Sequence, residues 1–585
     1  MPLQIHLPLR AGQCVVCVLA LSLPLVVHGQ TYYVATNGSN TTGNGSAAQP
    51  WASIERALSV LHDSHIDGAT VLVRPGTYSG RQNLVGTFSQ GVTVRSEIPY
   101  QARLRAAAQA VVAYENSRGA SGITLEGFDI AHTGAGASPL VFHVDGGGGN
   151  KNVERLTIRN NVIHDSWNND LLKINNGTRN VVVERNMFYN QSGSDEHIDV
   201  NSVEDVVVRE NVFFNDFSGS GRVNANDTSS YIVIKDSNDA DDIFVGNDRV
   251  TVERNVFLNW EGSTGSNFVL VGEDGKPYIE ARHVLVQNNL MLGNSANVMR
   301  AAFGVKSGED VTFRSNTVVG DLPALAFAMR VNVENPAITN DRIYFYNNIY
   351  SDPTGTMGAE NAGAANDFSD TPPADIGVWQ LQNNLYWNGG AAIPASGGEA
   401  INYTNDASRI VANPGLSGQS SLVLPRWNAG AGEFADGSAT IREAFVQLVT
   451  LYGRPGAMTG GVDHALAAQA PAVDILGRPR DAAPDVGAFE WVASADFTDN
   501  GVVDAADLAA WRGDFGVDDD SDADGDGDSD GADFLVWQRQ FDGASGLVGA
   551  STAIPEPGGW VVTLLGMLAV RAPLRRAFAS RLTGA

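Results

Sequence analysis

The chain has 585 residues and a formal net charge of −28. This length exceeds an ordinary single domain, but it suits a repeat architecture that grows along one axis without a larger globular core. About half of the acidic excess lies within residues 496–542, and exposed charges are screened beyond roughly 8 Å. The net charge therefore says little about what the main body binds, and we expect no nucleic-acid partner.

The N-terminus has the features of a secretory signal peptide. Arg10 precedes an apolar run from Cys14 to Val27, and the small residue Gly29 fits a signal-peptidase site. The run has about 14 residues, fewer than the roughly 20 that span a bilayer. We expect residues 1–29 to be removed and the mature chain to be secreted, either as an extracellular protein or to the outer cell surface. Both cysteines, Cys14 and Cys17, leave with this segment, which excludes disulfides and thiolate metal sites.

The mature chain opens with a predicted strand, helix and first coil. Tyr32-Tyr33-Val34 alternates as a strand, residues 50–58 have an amphipathic helical pattern, and residues 71–80 read VLVRPGTYSG. We expect the helix to cap the open end of a sheet. The segment resembles the beginning of many pectate-lyase-like β-helix proteins.

One phrase recurs between residues 150 and 390: an apolar-alternating strand that ends in Asn, followed by a short apolar run. Examples are VERLTIRNNVI, VVVERNMFY and VTVERNVFL. The marker residues are Asn161, Asn186, Asn211, Asn255, Asn289, Asn316, Asn348 and Asn384. Their shortest separation, about 25 residues, suits a coil of three short strands, and longer separations, up to about 44, are loop insertions.

Alternation in these strands places Val, Ile or Leu inward and Arg, Glu or Thr outward. Asn at one position tolerates a left-handed backbone and can hydrogen-bond to its stacked neighbour, so we interpret the markers as structural. The period predicts an all-β fold, a right-handed parallel β-helix of the pectin-lyase type, over residues 30–492. Within it, residues 470–491 resemble the last coil of the same broad group, whereas the irregular residues 400–465 have no predicted place.

Three neighbouring coil segments carry the candidate chemistry. Aligned by the marker that follows each, they place Lys173 above Asp199 and Asn175 above Asn201, with Lys235 on the next coil. Exposed sheets of parallel β-helices bind polysaccharide, so this face is the candidate site. The predicted substrate-binding residues are Asn175, Asn201, Lys306 and Arg330.

Cleavage of an acidic polysaccharide by β-elimination requires a neutralised uronate carboxylate and a base for the C5 proton, and this face carries the residue types for both. The segment NNDLLKINNGTRNVVVERNMF resembles the lysine-bearing coil of polysaccharide lyase family 6, which implies that Lys173 is the base. Lys235 is a second catalytic candidate. The partner arginine of that family, in an RHG-like motif, is absent, because His197, Asp199 and Asn201 stand there instead.

The segment DEHIDVNSVEDVVVRENVFF resembles instead the calcium-binding coil of pectate lyases of family 1. That resemblance implies that Glu196 and Asp199 are Ca²⁺ ligands and that Arg222 is the nearest catalytic cation, although the RxPxxR pattern of the family is missing. A calcium-dependent lyase acting on acidic polysaccharide is therefore favoured. Two alternatives stay open: a non-catalytic glycan-binding or structural surface protein, and a glycoside hydrolase. A hydrolase would need a pair among Asp170, Asp195, Glu196 and Asp199, about 5–9.5 Å apart.

Residues 493–545 contain two predicted calcium loops, each followed by a helix. Carboxylates and a glycine recur in the second loop at the spacing that wraps oxygen ligands around Ca²⁺, and the first loop is a poorer copy. The predicted ligands are Asp496, Thr498, Asn500, Asp504 and Asp507 in the first loop and Asp522, Asp524, Asp526, Asp528, Asp530 and Asp533 in the second. The pair Trp511 and Phe515 in the first helix matches Trp537 and Phe541 in the second. Two such units resemble a dockerin, an EF-hand-like α-helical module, which implies a cohesin-bearing scaffold as a possible partner.

Residues 546–585 are predicted to be a linker and a sorting segment. Pro555-Glu556-Pro557 precedes an apolar stretch from Trp560 to Val570 and then three arginines, the order of a stop-transfer tail. This arrangement resembles the PEP-CTERM signal, which implies a C-terminal sorting enzyme as a further partner.

Overall fold

The computed structural model describes residues 29–147, 152–192, 196–223, 230–237, 243–261, 267–293, 299–320, 322, 326–357, 367–456, 459–498, 502–523 and 528–541. The predicted sorting segment and all but the last residue of the predicted signal peptide lie outside these residues. So do Asp195 and the predicted calcium ligands Asn500, Asp524 and Asp526. The chain forms two compact units that divide between Trp491 and Val492.

Three parallel β-sheets build the first unit. Sheet A contains Thr31–Val34, Thr70–Val73, Gly86–Ser96, Ala120–Glu126, Val153–Arg159, Arg179–Glu184, Glu204–Arg209, Asn247–Glu253, Ala281–Gln287, Gly308–Arg314, Asp341–Tyr346 and Trp379–Gln382. Sheet B contains Gly76–Ser79, Ala102–Ala106, Asp129–His132, Val162–His164, Met187–Tyr189, Val212–Phe214, Val256–Phe257, Leu290–Leu292, Thr317–Val319, Ile349–Asp352, Leu385–Asn388 and Ile410–Val411. Sheet C contains Gln82–Asn83, Val111–Tyr114, Phe142–Asp145, Leu172–Asn175, Ile198–Asn201, Ser230–Lys235, Asn267–Val271, Phe303–Val305, Ala326–Val331 and Asp367–Asp370.

The remaining elements of the described chain are short. The helices are α1 (Ile54–Asp63), α2 (Phe217–Ser220), α3 (Ile441–Tyr452), α4 (Ala505–Asp514) and α5 (Gly531–Gln540). Two 3₁₀ turns cover Tyr403–Asn405 and Ala467–Gln469, and Trp427–Asn428 pairs with Glu433–Phe434 in an antiparallel ribbon. None of the helices in the described part of the chain is both long and apolar enough to cross a membrane.

Each turn of the chain adds one strand to sheet A, then one to sheet B, then one to sheet C, and every strand pairs in parallel with its equivalent on the next turn. The fold is thus a right-handed parallel β-helix, as the period predicts. Inward residues of successive coils stack on one another: Leu156, Val181 and Val206 are register partners in sheet A and all are buried. Stacking of equivalent positions is what brings residues 25 or more apart onto a shared face.

The predicted beginning of the solenoid is confirmed. Thr31–Val34 pairs in parallel with Thr70–Val73, and α1 lies at this end of the coils with its apolar face buried. The Ser53 side chain caps the helix by accepting a hydrogen bond from the Arg56 backbone N–H. The helix thus covers the end of the hydrophobic core, which would otherwise be open to water.

The marker asparagines form a buried ladder along the turns between sheets A and B. The side-chain amide of each donates to the Oδ1 of the next, as Asn186 does to Asn211 at 3.0 Å, and the backbone N–H of Asn186 donates to the same oxygen at 2.8 Å. The predicted structural role is confirmed. The expected left-handed backbone at the marker itself is wrong, since the residue before it takes that conformation, for example Arg185 with φ of 56°.

Residues 400–465, which had no predicted place, mainly cover the outside of sheet B. The buried face of α3 packs in one apolar cluster with outward residues of sheet B, among them Val162, Met187 and Val212. A capping box at Thr440 and Glu443 begins the helix.

The prediction of a last coil at residues 470–491 is wrong. These residues join none of the three sheets, and residues 464–491, here called the strap, run back across the A–B turns of earlier coils. Asn347 Nδ2 donates to the Leu466 carbonyl at 3.1 Å, and Asn288 Nδ2 donates to the Val473 carbonyl at 2.8 Å. The strap bonds to the coils through the side chains and backbone of turn residues, since the Gly487 backbone N–H also donates to the Asn347 carbonyl at 2.8 Å.

The second unit contains two similar loop–helix segments, as the repeated sequence predicts. Asp504 and Asp530 are the N-cap residues of α4 and α5, and each forms a capping box. The helices exchange equivalent contacts: Trp511 Nε1 donates to the Asp530 carbonyl at 2.8 Å, and Trp537 Nε1 donates to the Asp504 carbonyl at 2.9 Å. This reciprocity makes the two segments a pair related by approximate two-fold repetition.

Candidate functional site

The predicted register on sheet C is confirmed. Lys173 pairs with Asp199 and Asn175 with Asn201 on adjacent strands, and Lys235 is the next partner of Asn201. Since alternate residues of a strand point to the same side, all five side chains lie on the outer face of the sheet. The coils therefore bring together cations and carboxylates from three separate parts of the sequence.

Three buried carboxylates lie at the edge of this face. Asp170, Glu196 and Asp199 each have an oxygen within 4.8 Å of the others, and each residue is only 1% exposed. Asp170 and Glu196 occupy equivalent points just before their sheet C strands, because the Leu171 N–H donates to the Glu196 carbonyl and the Glu196 N–H donates to Asp170 Oδ1. We call this set the carboxylate cluster.

The sequence analysis names Asp170 only as a candidate hydrolase carboxylate and misses its place in the carboxylate cluster. The signal was available: Asp170 precedes Glu196 by 26 residues, the same separation as Lys173 and Asp199. Two pairs with one separation on adjacent coils must stack in the same register.

Two lysines border the carboxylate cluster. Lys173 Nζ lies 2.7 Å from Asp199 Oδ2, while Lys235 Nζ lies 2.9 Å from Glu273 Oε2 and 3.9 Å from Glu196 Oε1. Burial acts to lower the pKa of both amino groups, but the surrounding carboxylates outweigh it and hold each pKa above its ordinary value. Both lysines are therefore charged in this arrangement.

The carboxylate cluster has the chemistry of a hard-cation site. Burial raises the pKa of Glu196 well above its ordinary value, with Asp170, Glu273 and Asp199 adding to the effect and Lys235 opposing it. Asp199 Oδ1 is buried and accepts no hydrogen bond from the described residues. Ca²⁺ takes six to eight oxygen ligands, including carboxylates, and these three side chains fit part of such a set.

The outer face continues beyond Lys173 with residues that were not predicted. His143 is the register partner of Lys173, and the Tyr114 hydroxyl lies 2.9 Å from His143 Nδ1. Burial lowers the pKa of His143 to about 4, so its ring is neutral at neutral pH. The next coils thus offer neutral hydrogen-bonding groups in line with the lysines.

Arg222 is held outside the carboxylate cluster. Its guanidinium lies 2.6 Å from Asp165 Oδ1, donates to Ser192 Oγ at 2.8 Å and lies 4.1 Å from the centre of the Trp167 ring. These contacts tie it to the turns between sheets B and C. The contacts of Arg222 are thus with residues of these turns, and its predicted catalytic role stays a prediction.

The predicted substrate-binding residues are spread along sheet C. Lys306 pairs with Glu334 at 2.6 Å and Arg330 with Asp370 at 2.6 Å, on coils beyond the carboxylate cluster. Asn201 Oδ1 accepts a hydrogen bond from the Ser237 backbone N–H at 3.1 Å. The line predicted from the sequence is present, but its distant members are engaged in ion pairs of their own.

Three of the predicted calcium ligands in the second unit lie close together. Asp528, Asp530 and Asp533 have oxygens within 4.8 Å of one another. In the first loop, Asp507 Oδ1 accepts from the Thr498 backbone N–H at 2.9 Å, and Asp504 caps α4. Asp496 lies in the first of these loops and Asp522 in the second. That the two loops bind Ca²⁺ stays a prediction.

The sequence matches no protein-family model and no curated protein. Among solved structures, pectate lyase Pel9A is 14% identical with a TM-score of 0.45, over 79% of this chain and 96% of its own. A mannuronic acid-specific family 6 polysaccharide lyase from human gut microbiota is 15% identical with a TM-score of 0.42, over 64% and 78%. The Streptococcus pneumoniae surface adhesin PfbA is 13% identical with a TM-score of 0.35, over 57% of this chain and 80% of its own. Identities this low transfer no activity to this chain.

Proposed function

We propose that the protein is a secreted polysaccharide lyase that cleaves acidic, uronate-containing polysaccharide by β-elimination with Ca²⁺ as cofactor. The observation that carries this proposal is the carboxylate cluster beside Lys173 and Lys235 on the outer face of sheet C. A solenoid face of this kind accommodates a chain-like substrate, which can lie across successive coils. The charged groups are those that a uronate substrate requires.

In this proposal Asp170, Glu196 and Asp199 hold Ca²⁺. The bound ion would neutralise a uronate carboxylate and draw the Asp199 charge away from Lys173. With that charge drawn away, the pKa of Lys173 would fall, its ammonium group would lose a proton to solvent, and the neutral amine would then remove the C5 proton. The electron pair of the C5–H bond forms the C4–C5 double bond, the C4–O bond breaks, and the departing oxygen takes a proton. Lys235, held by Glu273, keeps its charge and binds a substrate carboxylate.

The cluster geometry favours a cation site over a hydrolase pair among Asp170, Glu196 and Asp199, while Asp195, the fourth hydrolase candidate, lies outside the described residues. Retaining and inverting glycosidases separate their two carboxyl groups by about 5–5.5 Å and about 6.5–9.5 Å, with the substrate between them. The cluster oxygens of Asp170, Glu196 and Asp199 lie within 4.8 Å of one another and are buried. Such an arrangement suits a shared cation better than a sugar between two acids.

The test is the ultraviolet absorbance of unsaturated uronate products on pectate, alginate and chondroitin, with Ca²⁺ or with EDTA. We expect product on at least one polymer, loss of it with EDTA, and a fall in kcat/KM of about a hundredfold or more for Lys173→Ala. Asp199→Asn should weaken the response to Ca²⁺. Glu204→Gln, which changes a carboxylate on sheet A paired with Arg249, should leave activity unchanged.

Two results would decide against the lyase. Binding of a polymer without product on any of the three would indicate the alternative of a non-catalytic glycan-binding or structural protein. If Lys173→Ala and Asp199→Asn both kept full activity, the carboxylate cluster and Lys173 would not be the catalytic site, even if the chain proved to be a lyase.

We further propose that the second unit is a dockerin-like module for a cohesin-bearing scaffold, and that the C-terminal segment is processed by a sorting enzyme during export. The paired helices with their reciprocal tryptophan contacts support the first idea. The PEP-CTERM-like sequence supports the second. Calcium-dependent binding to purified cohesin domains, and the mass of the mature protein at the cell surface, would test them separately.

A further inference from the structure

A second charged cleft lies on the first unit, at the turns between sheets A and B, whereas the carboxylate cluster lies on sheet C. Its volume is about 550 Å³, within the roughly 300–1,000 Å³ of small-ligand sites. The strap and the start of α3 close it against the coils. The residues that line it are Asn160, Arg185, Glu210, Arg254, Thr440, Arg442, Leu476 and Gly477.

One side of the cleft is formed by residues that occupy the same turn position on successive coils. The residue before each marker asparagine has a left-handed backbone, and at four such turns it is Asn: Asn160, Asn288, Asn347 and Asn383. On three consecutive coils the same position holds Arg185, Glu210 and Arg254, with φ of 56°, 56° and 54°. A left-handed backbone is unfavourable for such side chains, and the solenoid imposes it here as it does at Arg155, Arg249 and Arg342 in sheet A. These coils therefore place charge in the cleft at some cost in backbone energy.

Three guanidinium groups meet one carboxylate in the cleft. Arg185 Nε lies 2.5 Å and Arg254 NH1 2.9 Å from the Glu210 carboxylate, and Arg442 NH1 lies 3.9 Å from it. Of the nearby acids, Glu253 lies 3.4 Å from Arg254 but also accepts from Gln287, and Asp474 pairs with Arg478. Positive charge is therefore in excess where the three arginines converge.

Arg442 is only partly paired in the cleft: its Nη2 group donates to the Leu476 carbonyl at 3.0 Å, and its side chain is 37% exposed. It lies in the first turn of α3, where the helix dipole favours negative rather than positive groups. Its NH1 group and Arg254 Nε are buried and donate no hydrogen bond to the described residues. Burial, with the like charges of Arg185 and Arg254, lowers the pKa of Arg442, while Glu210 opposes this. Gly477 leaves room above Arg254, since a Cβ there would lie 3.1 Å from its NH1.

We propose that this cleft binds an oxyanion, the carboxylate or sulfate ester of an acidic glycan, at a site separate from the sheet C face. Guanidinium groups bind planar and tetrahedral oxyanions through paired hydrogen bonds, and the three arginines supply such donors around one space. An anion there balances the excess charge and satisfies the donors of Arg442 and Arg254. The glycan part rests on the proposed function, whereas the oxyanion site does not.

The test is calorimetric titration of the full chain with sodium sulfate, with sodium chloride at matched ionic strength as reference. We expect saturable sulfate binding that weakens about tenfold or more in Arg442→Gln, the loss of one charged hydrogen-bond donor group. Arg342→Gln is the matched control, because Arg342 is an arginine of sheet A that pairs with Asp310 and Asp341. Arg185→Gln, half-exposed in the cleft, serves as a second variant if Arg442→Gln fails to fold.

Further titrations separate the sources of the anion. Oligogalacturonate or a sulfated oligosaccharide should compete with sulfate, whereas a neutral xylo-oligosaccharide should not, and Lys173→Ala should bind sulfate like the unaltered protein. Competition by inorganic phosphate alone, without competition by either acidic oligosaccharide, would overturn the glycan assignment. Absence of saturable sulfate binding, or equal binding by Arg442→Gln, would overturn the site itself whether or not the protein is a lyase.

Discussion

At the scale of single residues, the asparagine ladder sets the register in which each coil stacks on the next. A buried amide must satisfy both its donors and its acceptor, and stacked asparagines do so by passing hydrogen bonds in one direction. Asn211 donates to Asn255 Oδ1 and to the Val183 carbonyl, and it accepts from Asn186. Asp406 ends the series: its Oδ2 accepts from the backbone and side chain of Asn384 at 2.9 Å each. The terminal residue only needs to accept, so a carboxylate suffices.

Asn211→Ala should destabilise the protein by about 2–4 kcal/mol, because it removes the partners of two buried groups of Asn186 and leaves the Val183 carbonyl without its amide donor. Thr157→Ala, on the outer face of sheet A, should change stability by less than about 0.5 kcal/mol. Denaturant unfolding of both variants measures the difference. Equal stabilities would mean that the ladder aligns the coils but adds nothing to the free energy of unfolding.

Residue-level prediction succeeded where a pattern repeats. The markers and the pairing of Lys173 with Asp199 follow from a constant spacing. Asp406 could not be found this way, because it replaces the amide of an asparagine with a different side chain after an irregular interval. The strained turn residues were also missed, since a left-handed backbone at Arg185 or Glu210 contradicts local preference and is imposed by the solenoid.

At the scale of elements, the strap is the segment whose place the sequence does not indicate. Its hydrogen bonds join residues far apart in the chain: Val473 and Asn288 are 185 residues apart. Its sequence shows no regular spacing of hydrophobic residues, and buried charged side chains hold it to the coils. Arg480 lies 2.8 Å from Glu490 with both side chains almost completely buried, and it donates to Asn288 Oδ1 at 3.0 Å. Contacts of this kind depend on the finished coils, so no local pattern predicts them.

Arg480→Met should destabilise the protein by about 3–5 kcal/mol, because it leaves the buried Glu490 carboxylate without its cation. Adding Glu490→Gln should recover part of this loss by removing the stranded charge. Arg342→Met, at a surface ion-pair group, should cost less than about 1 kcal/mol. Unfolding of the three variants gives the free energies, and hydrogen exchange locates the change. Normal protection of the strap amides in Arg480→Met would show that other contacts hold this segment.

At the scale of the whole molecule, the chain combines a one-dimensional solenoid with a small helical unit. One apolar cluster runs through the solenoid from Val34 to Ile401, whereas the second unit has its own small cluster around Ala523 and Trp537. The first unit draws its stability from many stacked coils. The second has few buried apolar residues, so ions are expected to matter far more to it.

We therefore expect Ca²⁺ to act differently on the two units. Without a cation, the clustered carboxylates of Asp528, Asp530 and Asp533 repel one another at the start of α5. Calcium at a hundred times its Kd should stabilise a unit that binds it by about 2.7 kcal/mol. Hydrogen exchange of the full chain should thus show faster exchange in α4 and α5 with EDTA, while ladder strands far from the carboxylate cluster keep their protection. Asp533→Asn should weaken this calcium response, and Asp519→Asn, an exposed aspartate outside the predicted ligand positions, should not. A calcium-independent second unit would mean that apolar packing and the two tryptophan hydrogen bonds hold the helices together, and it would contradict a dockerin-like module that depends on calcium.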